Sequence, residues 1–415
     1  MKFSPKTTST IILVLLVVAI GINYVDRGSL SVTKTDVAAE FNLGPEKMGQ
    51  LFSAFFWSYA LSQIFTGWLV DRLDVKWLYA GGFVLWSVST ILMGLSSGFA
   101  MFFLLRLVLG FGESVAYPAT SQMIVKNFDE RYRGFANALI DAATKLGPAI
   151  CILLGGLLVD RYGWRSLFFA VGIGGMFWLP LWIWLVPSTK PNPVERKARS
   201  AINLGQLLQR REVWGTSIGF FCLGYTWAFL LSWLPGYLEE AHSFDKKTMA
   251  VMGSLPLFCM AGTSLFGGWF ADSLIRRNLS PTLVRKGFMV GGFLFCALFL
   301  MLTMTSSDPN VCVRYLCLAC GALGFYTANA WAMTQTLAGS AAAGQWTGFQ
   351  NAVGNIGGAL APTITGWMLS RTNDYSLPFY TAAGMLIFGV FAYLLLVKRV
   401  VPLNWNTQPF SESAA

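Results

Sequence analysis

The chain has 415 residues, of which 55% are hydrophobic and only 12% charged, about half the charged share of a typical soluble protein. That composition argues against a water-soluble enzyme or nucleic-acid-binding domain. The net charge of +10 comes from basic residues in short loops between apolar runs, where such residues set membrane topology.

A membrane-crossing helix needs about 20 residues with few charges, and the intervals between charges mark twelve spans. Lys2 and Lys6 precede the apolar run 7–25, which ends in Asp26-Arg27 with no small-residue cleavage site after it. It reads as a retained first span rather than a signal peptide. Residues 48–70 form the second. The interval from Lys76 to Lys126, interrupted only by Arg106 and Glu113, holds the third and fourth, turning at Ser96-Ser97-Gly98. Residues 134–159, which carry Asp141 and Lys145, form the fifth, and 166–189 the sixth. The seventh, eighth and ninth are 213–238, 248–271 and 287–307. The charge-free stretch 315–370 gives the tenth and eleventh, turning near Ala338 to Gly344, and 375–397 gives the twelfth.

An even number of spans places both termini on one face. Lysines and arginines number 19 in segments on that face and 8 on the other, so both termini are expected in the cytoplasm. The richest polar stretch, beginning at Lys190, divides the spans six and six. The expected organisation is an N-terminal six-helix bundle at 1–189, a cytoplasmic linker at 190–212, a C-terminal six-helix bundle at 213–403 and a cytoplasmic tail at 404–415. The fold class is all-α integral membrane, with two pseudo-symmetric bundles in a multi-pass protein.

All seven cysteines fall in or at the ends of spans, and Cys317-x-x-Cys320 reads as two small packing residues one turn apart. The lone histidine, His242, sits in the polar segment 239–247 and supports no metal or triad chemistry. No Walker-type loop, cofactor site or metal site is expected.

The halves carry a weak internal repeat. Gly67-Trp68-Leu69-Val70-Asp71-Arg72 after the second span recurs as Gly268-Trp269-Phe270-Ala271-Asp272 after the eighth. Gly134-Phe135-Ala136-Asn137-Ala138 recurs as Gly348-Phe349-Gln350-Asn351-Ala352, and Leu146-Gly147-Pro148 as Leu360-Ala361-Pro362. Repeats of this kind accompany alternating access, in which two bundles rock about a shared site. Gly67, Asp71, Arg72, Gly268 and Asp272 are read as gating elements, the glycines allowing close helix approach and the aspartates capping or pairing with loop arginines.

Six ionisable residues lie inside spans, all in the first half: Asp26, Arg27, Arg106, Glu113, Asp141 and Lys145. Such residues are costly and by default mark a pathway or relay. Arg106 and Glu113 are seven residues apart, about 20° from one helix face, so they are expected on one cavity wall, thinned by Gly110 and Gly112. The competing reading is a structural ion-pair network between the first and fourth spans. Asp26 and Arg27, as neighbours, point about 100° apart, and at most one faces a cavity squarely. The competing reading is that the pair merely ends the first span at the outer interface. Asp141 and Lys145, one turn apart, read either as a local ion pair or as part of a substrate site. The second half offers uncharged candidates: Tyr225, Trp227, Asn329, Trp331, Gln335, Asn351 and Asn355.

The loop beginning at Gly67 resembles the signature of the major facilitator superfamily, although Leu73-Asp74-Val75-Lys76 replaces its usual Gly-Arg-Arg ending. Within that superfamily the chain is most similar to the anion:cation symporter family. The resemblance rests on Asn23-Tyr24-Val25-Asp26-Arg27, on Arg106 through Gly112-Glu113 to Pro118, on Trp233-Leu234-Pro235-Gly236-Tyr237-Leu238 and on Asn351-Ala352-Val353-Gly354-Asn355. It implies the major facilitator fold and a bacterial inner-membrane importer of sugar acids such as galactonate, glucarate or hexuronates, with protons as coupling ion. Arg27 then holds the substrate carboxylate, and Asp26 and Glu113 carry protons. Tyr24, Tyr59, Arg106, Lys145, Tyr225, Trp331, Asn351 and Asn355 complete the expected substrate site. The partners implied are a small organic anion and the lipid bilayer, with no nucleic acid and a monomeric chain. Asp141 and Lys145 depart from the uncharged residues of sugar-acid members and hint at a dicarboxylate or more acidic substrate. The alternatives are an importer of aromatic acids or dicarboxylates, a proton-driven drug exporter, an organophosphate antiporter, a non-transporting sensor and an integral membrane enzyme.

Overall fold

The computed structural model describes residues 5–70, 72–128, 130–188 and 204–405. Its regular elements are helices. The first crossing is α1 (Pro5–Val32), followed by the short α2 (Lys34–Glu40) and the crossings α3 (Pro45–Val70) and α4 (Val75–Gly94). The fourth crossing is α5 (Phe99–Glu113) and α6 (Ala116–Asn127), interrupted at Ser114 and Val115. The fifth is α7 (Glu130–Ile150), a π-helical turn at Cys151–Gly155 and α8 (Gly156–Tyr162); the sixth is α9 (Trp164–Met176) with α10 (Trp178–Leu185). Beyond the short α11 (Leu204–Leu208) come α12 (Arg211–His242), α13 (Lys246–Arg276), α14 (Pro281–Thr303), α15 (Pro309–Thr372) and α16 (Ser376–Leu396). A residue with φ 60° and ψ −172°, Gly339, divides α15 into two crossings. Only glycine adopts that conformation without strain, and it falls where the sequence places a turn. Twelve crossings result among the described residues.

Ten of them are long and apolar enough to cross a membrane by composition alone. The exceptions are α3 and the second limb of α15, which carry Ser53, Ser58, Gln63 and Thr66, and Gln345, Gln350, Asn351 and Asn355. Several of these groups bond within the protein. Ser53 donates to the Ala359 carbonyl at 2.7 Å and Ser58 to that of Leu107 at 2.5 Å, while Gln350 Oε1 accepts from Thr334 at 2.7 Å. Polar groups are tolerated in these helices where they bond within the protein rather than face lipid.

Some local readings change. The first helix does not stop at Asp26-Arg27 but continues to Val32, so the pair does not mark its end. Both side chains are buried with partners on neighbouring helices, and a satisfied charge need not terminate a span. Asp74, part of the departure from the superfamily loop, caps α4 by accepting the Lys76 amide at 3.0 Å. Pro148 cannot bond back along α7, and the π turn follows directly.

Packing divides the chain into two units. The first holds the described residues up to 188 with Ala228–Phe258 and Ala359–Pro378. In it α3 and α4 pack on α5, α1 on α7, and α4 on α9. Glycines set these approaches. A Cβ at Gly147 would lie 2.7 Å from the Gly21 carbonyl and 2.8 Å from Tyr24 Cβ, and one at Gly110 would lie 2.5 Å from the Phe55 carbonyl. Gly112 abuts the Trp86 backbone. Gly110 and Gly112 therefore bring α3 and α4 onto α5 and do not thin a cavity wall. Trp178 Nε1 donates to the Leu15 carbonyl and Trp182 Nε1 to that of Lys76, both at 2.9 Å, tying α10 to α1 and α4.

At one end of this unit, a polar network joins α2 to the ends of α12 and α13 and to Tyr375. Lys34 Nζ lies 2.6 Å from Glu240 Oε1, 2.9 Å from the Tyr375 hydroxyl and 4.5 Å from the centre of the Trp233 ring. Lys246 pairs with Asp36 at 2.8 Å and Glu239 at 2.9 Å. These lysines enter the topology count as loop charges, yet Lys34 is buried.

The second unit holds 204–227, Cys259–Gly358 and 379–405 among the described residues. Gly224 packs directly on the Gly354 backbone, and a Cβ at Gly357 would sit 3.1 Å from the Tyr225 amide. The tyrosine hydroxyls of Tyr326 and Tyr393 bond at 2.6 Å. Cys320 is buried and its thiol free, in keeping with a packing role.

Candidate functional site

Helix periodicity places Asn23 and Arg27 one turn apart on α1, Phe55 and Tyr59 one turn apart on α3, and Glu113 at the end of α5. Packing brings these faces together. Arg27 Nε donates to Glu113 Oε2 at 2.9 Å, and both side chains are almost completely buried. The Arg27 guanidinium carbon lies 4.4 Å from the centre of the Tyr24 ring, 4.6 Å from that of Tyr59 and 4.9 Å from that of Phe55. Moving a charge out of water costs several kcal/mol per ion after relaxation. A desolvated cation–π contact returns about 2 kcal/mol, so three of them with one carboxylate can hold this guanidinium in place. Tyr24 and Tyr117 extend the cage through a 3.2 Å contact between their hydroxyls.

Arg106 reaches the same place from two turns before Glu113 on α5. Its Nε donates to the Leu51 carbonyl at 3.2 Å, and its guanidinium carbon lies 5.0 Å from the centre of the Phe55 ring. Phe55 is thus shared by both arginines. The spacing argument put Arg106 and Glu113 on one face, and both are buried. Glu113's close cationic partner is nevertheless Arg27 from α1. Among the described residues, Arg27 Nη2, Arg106 Nη1 and Glu113 Oε1 are buried without a hydrogen-bond partner. Two guanidinium donors and a carboxylate oxygen with unused capacity, next to aromatic faces, suit an anion bearing hydroxyls.

Asp26 turns the other way, as 100° of helix rotation requires. Its Oδ1 accepts a 2.6 Å bond from Thr90 on α4. Lys145 is paired with Asp141 at 2.6 Å, the local i,i+4 arrangement.

The other candidates lie in the second unit. Tyr225 is buried on α12 beside Gly224. The Trp331 ring meets Phe220 edge-on at 4.5 Å. Asn355 Nδ2 donates to the Asn351 carbonyl at 2.9 Å, one turn back along α15.

Among the gating residues, the Arg72 guanidinium stacks 3.9 Å over the Trp68 ring, and Asp272 on α13 pairs with Arg285 on α14 at 3.2 Å. Asp71 lies outside the described residues, as do 190–203 of the linker and 406–415 of the tail. A Cβ at Gly67 would meet no described atom within 4 Å, and one at Gly268 only Ala328 Cβ at 3.7 Å. Among the described residues neither glycine sits at a close helix approach, whereas Gly267 is tight against Phe325 in the second copy.

Phe55, Thr90, Tyr117 and Asn23 were not singled out as site residues from the sequence. For Phe55 a signal existed, since it precedes Tyr59 by one turn. Thr90 had none, because its pairing with Asp26 depends on how α4 rotates against α1.

The model of the Major Facilitator Superfamily matches residues 16–360. A probable galactarate/D-glucarate transporter of Escherichia coli K12 is 30% identical, covering 95% of each chain. A probable L-galactonate transporter of the same strain is 27% identical over 96% of this chain and 91% of its own. A probable sulfoacetate transporter of Cupriavidus necator is 28% identical over 90% of both. Among solved structures, a bacterial homolog of the human lysosomal transporter Spinster, inward-facing and unoccupied, superposes with a TM-score of 0.79 at 17% identity, covering 94% of this chain and 97% of that one. That likeness shows the fold.

Proposed function

Because this chain belongs to the Major Facilitator Superfamily, we propose that it imports a sugar acid together with protons, by alternating access, across the bacterial inner membrane. It is a multi-pass transporter of organic anions, not an enzyme. The observation that carries the finer reading is the Arg27–Glu113 pair inside its aromatic cage.

The physical logic is competition for one guanidinium. With Glu113 ionised, Arg27 is neutralised and its Nε is occupied. When Glu113 takes up a proton, the carboxylate charge disappears and Arg27 is left as a desolvated cation that a substrate carboxylate can satisfy. Proton binding and anion binding then favour one another, which is the thermodynamic content of symport. Arg106 adds a second cationic donor, while Tyr24 and Tyr59 offer ring faces and hydroxyls to a polyhydroxylated body. Asn351, Asn355, Tyr225 and Trp331 are the uncharged partners proposed for the rest of the substrate. Asp26, held by Thr90, is a second proton carrier in this scheme. Importing a monoanion against an inside-negative potential costs about 2.3 kcal/mol per 100 mV, so one proton makes the event electroneutral and a second makes it voltage-driven.

The test is uptake into proteoliposomes of D-glucarate, L-galactonate, sulfoacetate and an aromatic acid, with an inward proton gradient. Gradient-driven accumulation of a sugar acid is expected. Glu113→Gln should abolish accumulation while substrate exchange across the membrane partly survives. Uptake indifferent to the proton gradient, or unchanged gradient-driven uptake by Glu113→Gln, refutes the coupling scheme.

A further inference from the structure

Asn23 is completely buried on α1, one turn before Arg27, and neither its amide nitrogen nor its amide oxygen has a hydrogen-bond partner with acceptable geometry among the described residues. A buried amide without partners costs about 1–3 kcal/mol and invites an explanation. This amide lies against the Glu113 carboxyl, whose Oε1 is also buried and unbonded while Oε2 is held by Arg27.

We propose that Asn23 is a positioning residue for the proton that Glu113 carries, its amide serving both protonation states of that carboxyl by rotating between Nδ2 and Oδ1. An ionised Glu113 only accepts hydrogen bonds, and Arg27 and Asn23 Nδ2 can both donate to it. A protonated Glu113 presents an O–H that must find an acceptor, and a guanidinium has none. Asn23 Oδ1 supplies it. In the step itself a hydronium ion gives its proton to Oε1, its O–H bond breaking as the Oε1–H bond forms and a water molecule being left behind, and the Arg27 cation is released to the substrate carboxylate. Without an acceptor the protonated state would bury an unsatisfied hydroxyl, and the carrier would be held in one state. The inference rests on the proton-coupled reading given above.

Other titratable or charged groups that act on Glu113 are Asp26 and Arg27 on α1, Tyr59 on α3, Tyr79 on α4 and Arg106 on α5. They are unchanged in a comparison of Asn23→Thr with Asn23→Val, two side chains of nearly the same shape that differ by one hydroxyl able to donate and accept. Purified full-length variants are reconstituted with D-glucarate, or with whichever panel anion the wild type accumulates. Two quantities are read: accumulation driven by the proton gradient, with its pH profile, and exchange at equal pH on both sides. Asn23→Val should accumulate at least about tenfold less than Asn23→Thr, the worth of one hydrogen bond to a charged group. Its pH profile should be displaced from the wild type, and the two variants should exchange at comparable rates. Equal accumulation by both variants overturns the proposal, as does loss of exchange together with accumulation in Asn23→Val alone, which would make the hydroxyl a binding or folding element. If wild type shows no gradient-driven uptake of any anion, the coupling reading fails first, and the two failures are distinguishable.

Discussion

Glu240→Ala and Lys34→Met remove opposite partners of one ion pair, and the structure predicts that their costs are unequal. The Lys34 side chain is 4% exposed and that of Glu240 43%. Losing Glu240 strands a nearly unexposed ammonium with the Tyr375 hydroxyl and the Trp233 face as close contacts, and Glu239 as a further counter-charge. Stranding one member of a buried pair costs about 3–5 kcal/mol, and the two remaining contacts put the expected loss near the lower end. Losing Lys34 leaves a carboxylate that rehydrates, and methionine fills much the same space over Gly236, where any Cβ would lie 2.6 Å from Lys34 Cδ. That change should stay within about 1 kcal/mol.

The assay is thermal unfolding of purified protein in detergent. For a chain of this size about 3 kcal/mol corresponds to a shift of roughly 3–4 °C. pH supplies the sign. Burial lowers the proton affinity of Lys34 below its ordinary value of 10.5, against the pull of Glu240. An unfolded lysine therefore holds its proton more tightly than the folded one, and stability gained at this residue rises with pH between the lowered value and about 10.5. In Glu240→Ala that window widens downward, so its deficit should shrink between pH 7 and pH 9, while Lys34→Met should lose this contribution to the slope. Equal losses, a larger loss for Lys34→Met, or a Glu240→Ala deficit that grows with pH would refute the argument.

Gly147→Ala inserts a methyl 2.7 Å from the Gly21 carbonyl and against Tyr24. Overpacking of this kind costs about 1–3 kcal/mol, and because α1 must move, Tyr24 and Arg27 move with it. Substrate affinity should fall by more than the thermal shift alone explains, and unchanged affinity in radioligand binding would dismiss the contact. Asp141→Asn should destabilise the protein by leaving Lys145 buried without its carboxylate, while Asp141→Asn/Lys145→Gln should recover most of that stability. If the double variant keeps monocarboxylate uptake and loses dicarboxylate uptake, Lys145 belongs to the substrate site; if it keeps both, the pair is local.

The ionisable residues show how far local pattern reaches. Spacing alone put Arg106 and Glu113 on one face and turned Asp26 away from Arg27, because helical rotation per residue is fixed by backbone geometry. The turns at Ser96-Ser97-Gly98 and near Ala338 to Gly344 were legible, since each of those charge-poor intervals is long enough for two spans and must reverse near its middle. The end of the first span was misjudged at Arg27, because charge intervals assume that a charge meets lipid or water, and here it meets Glu113. Lys34 was counted among loop charges for the same reason: its burial depends on Glu240, Tyr375 and Trp233, over 190 residues away in sequence.

The sequence by itself determined the membrane class, the number of crossings, the repeat and the concentration of buried charge in the first half. Composition and periodicity act within one helix, and those properties need nothing more. Only the tertiary structure decided which charge meets which, that Arg27 and not Arg106 holds Glu113, that Phe55 lies between two guanidiniums and that Asn23 faces the carboxyl. Those pairings depend on the rotation and separation of neighbouring helices, which are set by close contacts such as Gly147 on Gly21 and Gly110 on Phe55. Such contacts join residues too far apart in the chain for any local pattern to register.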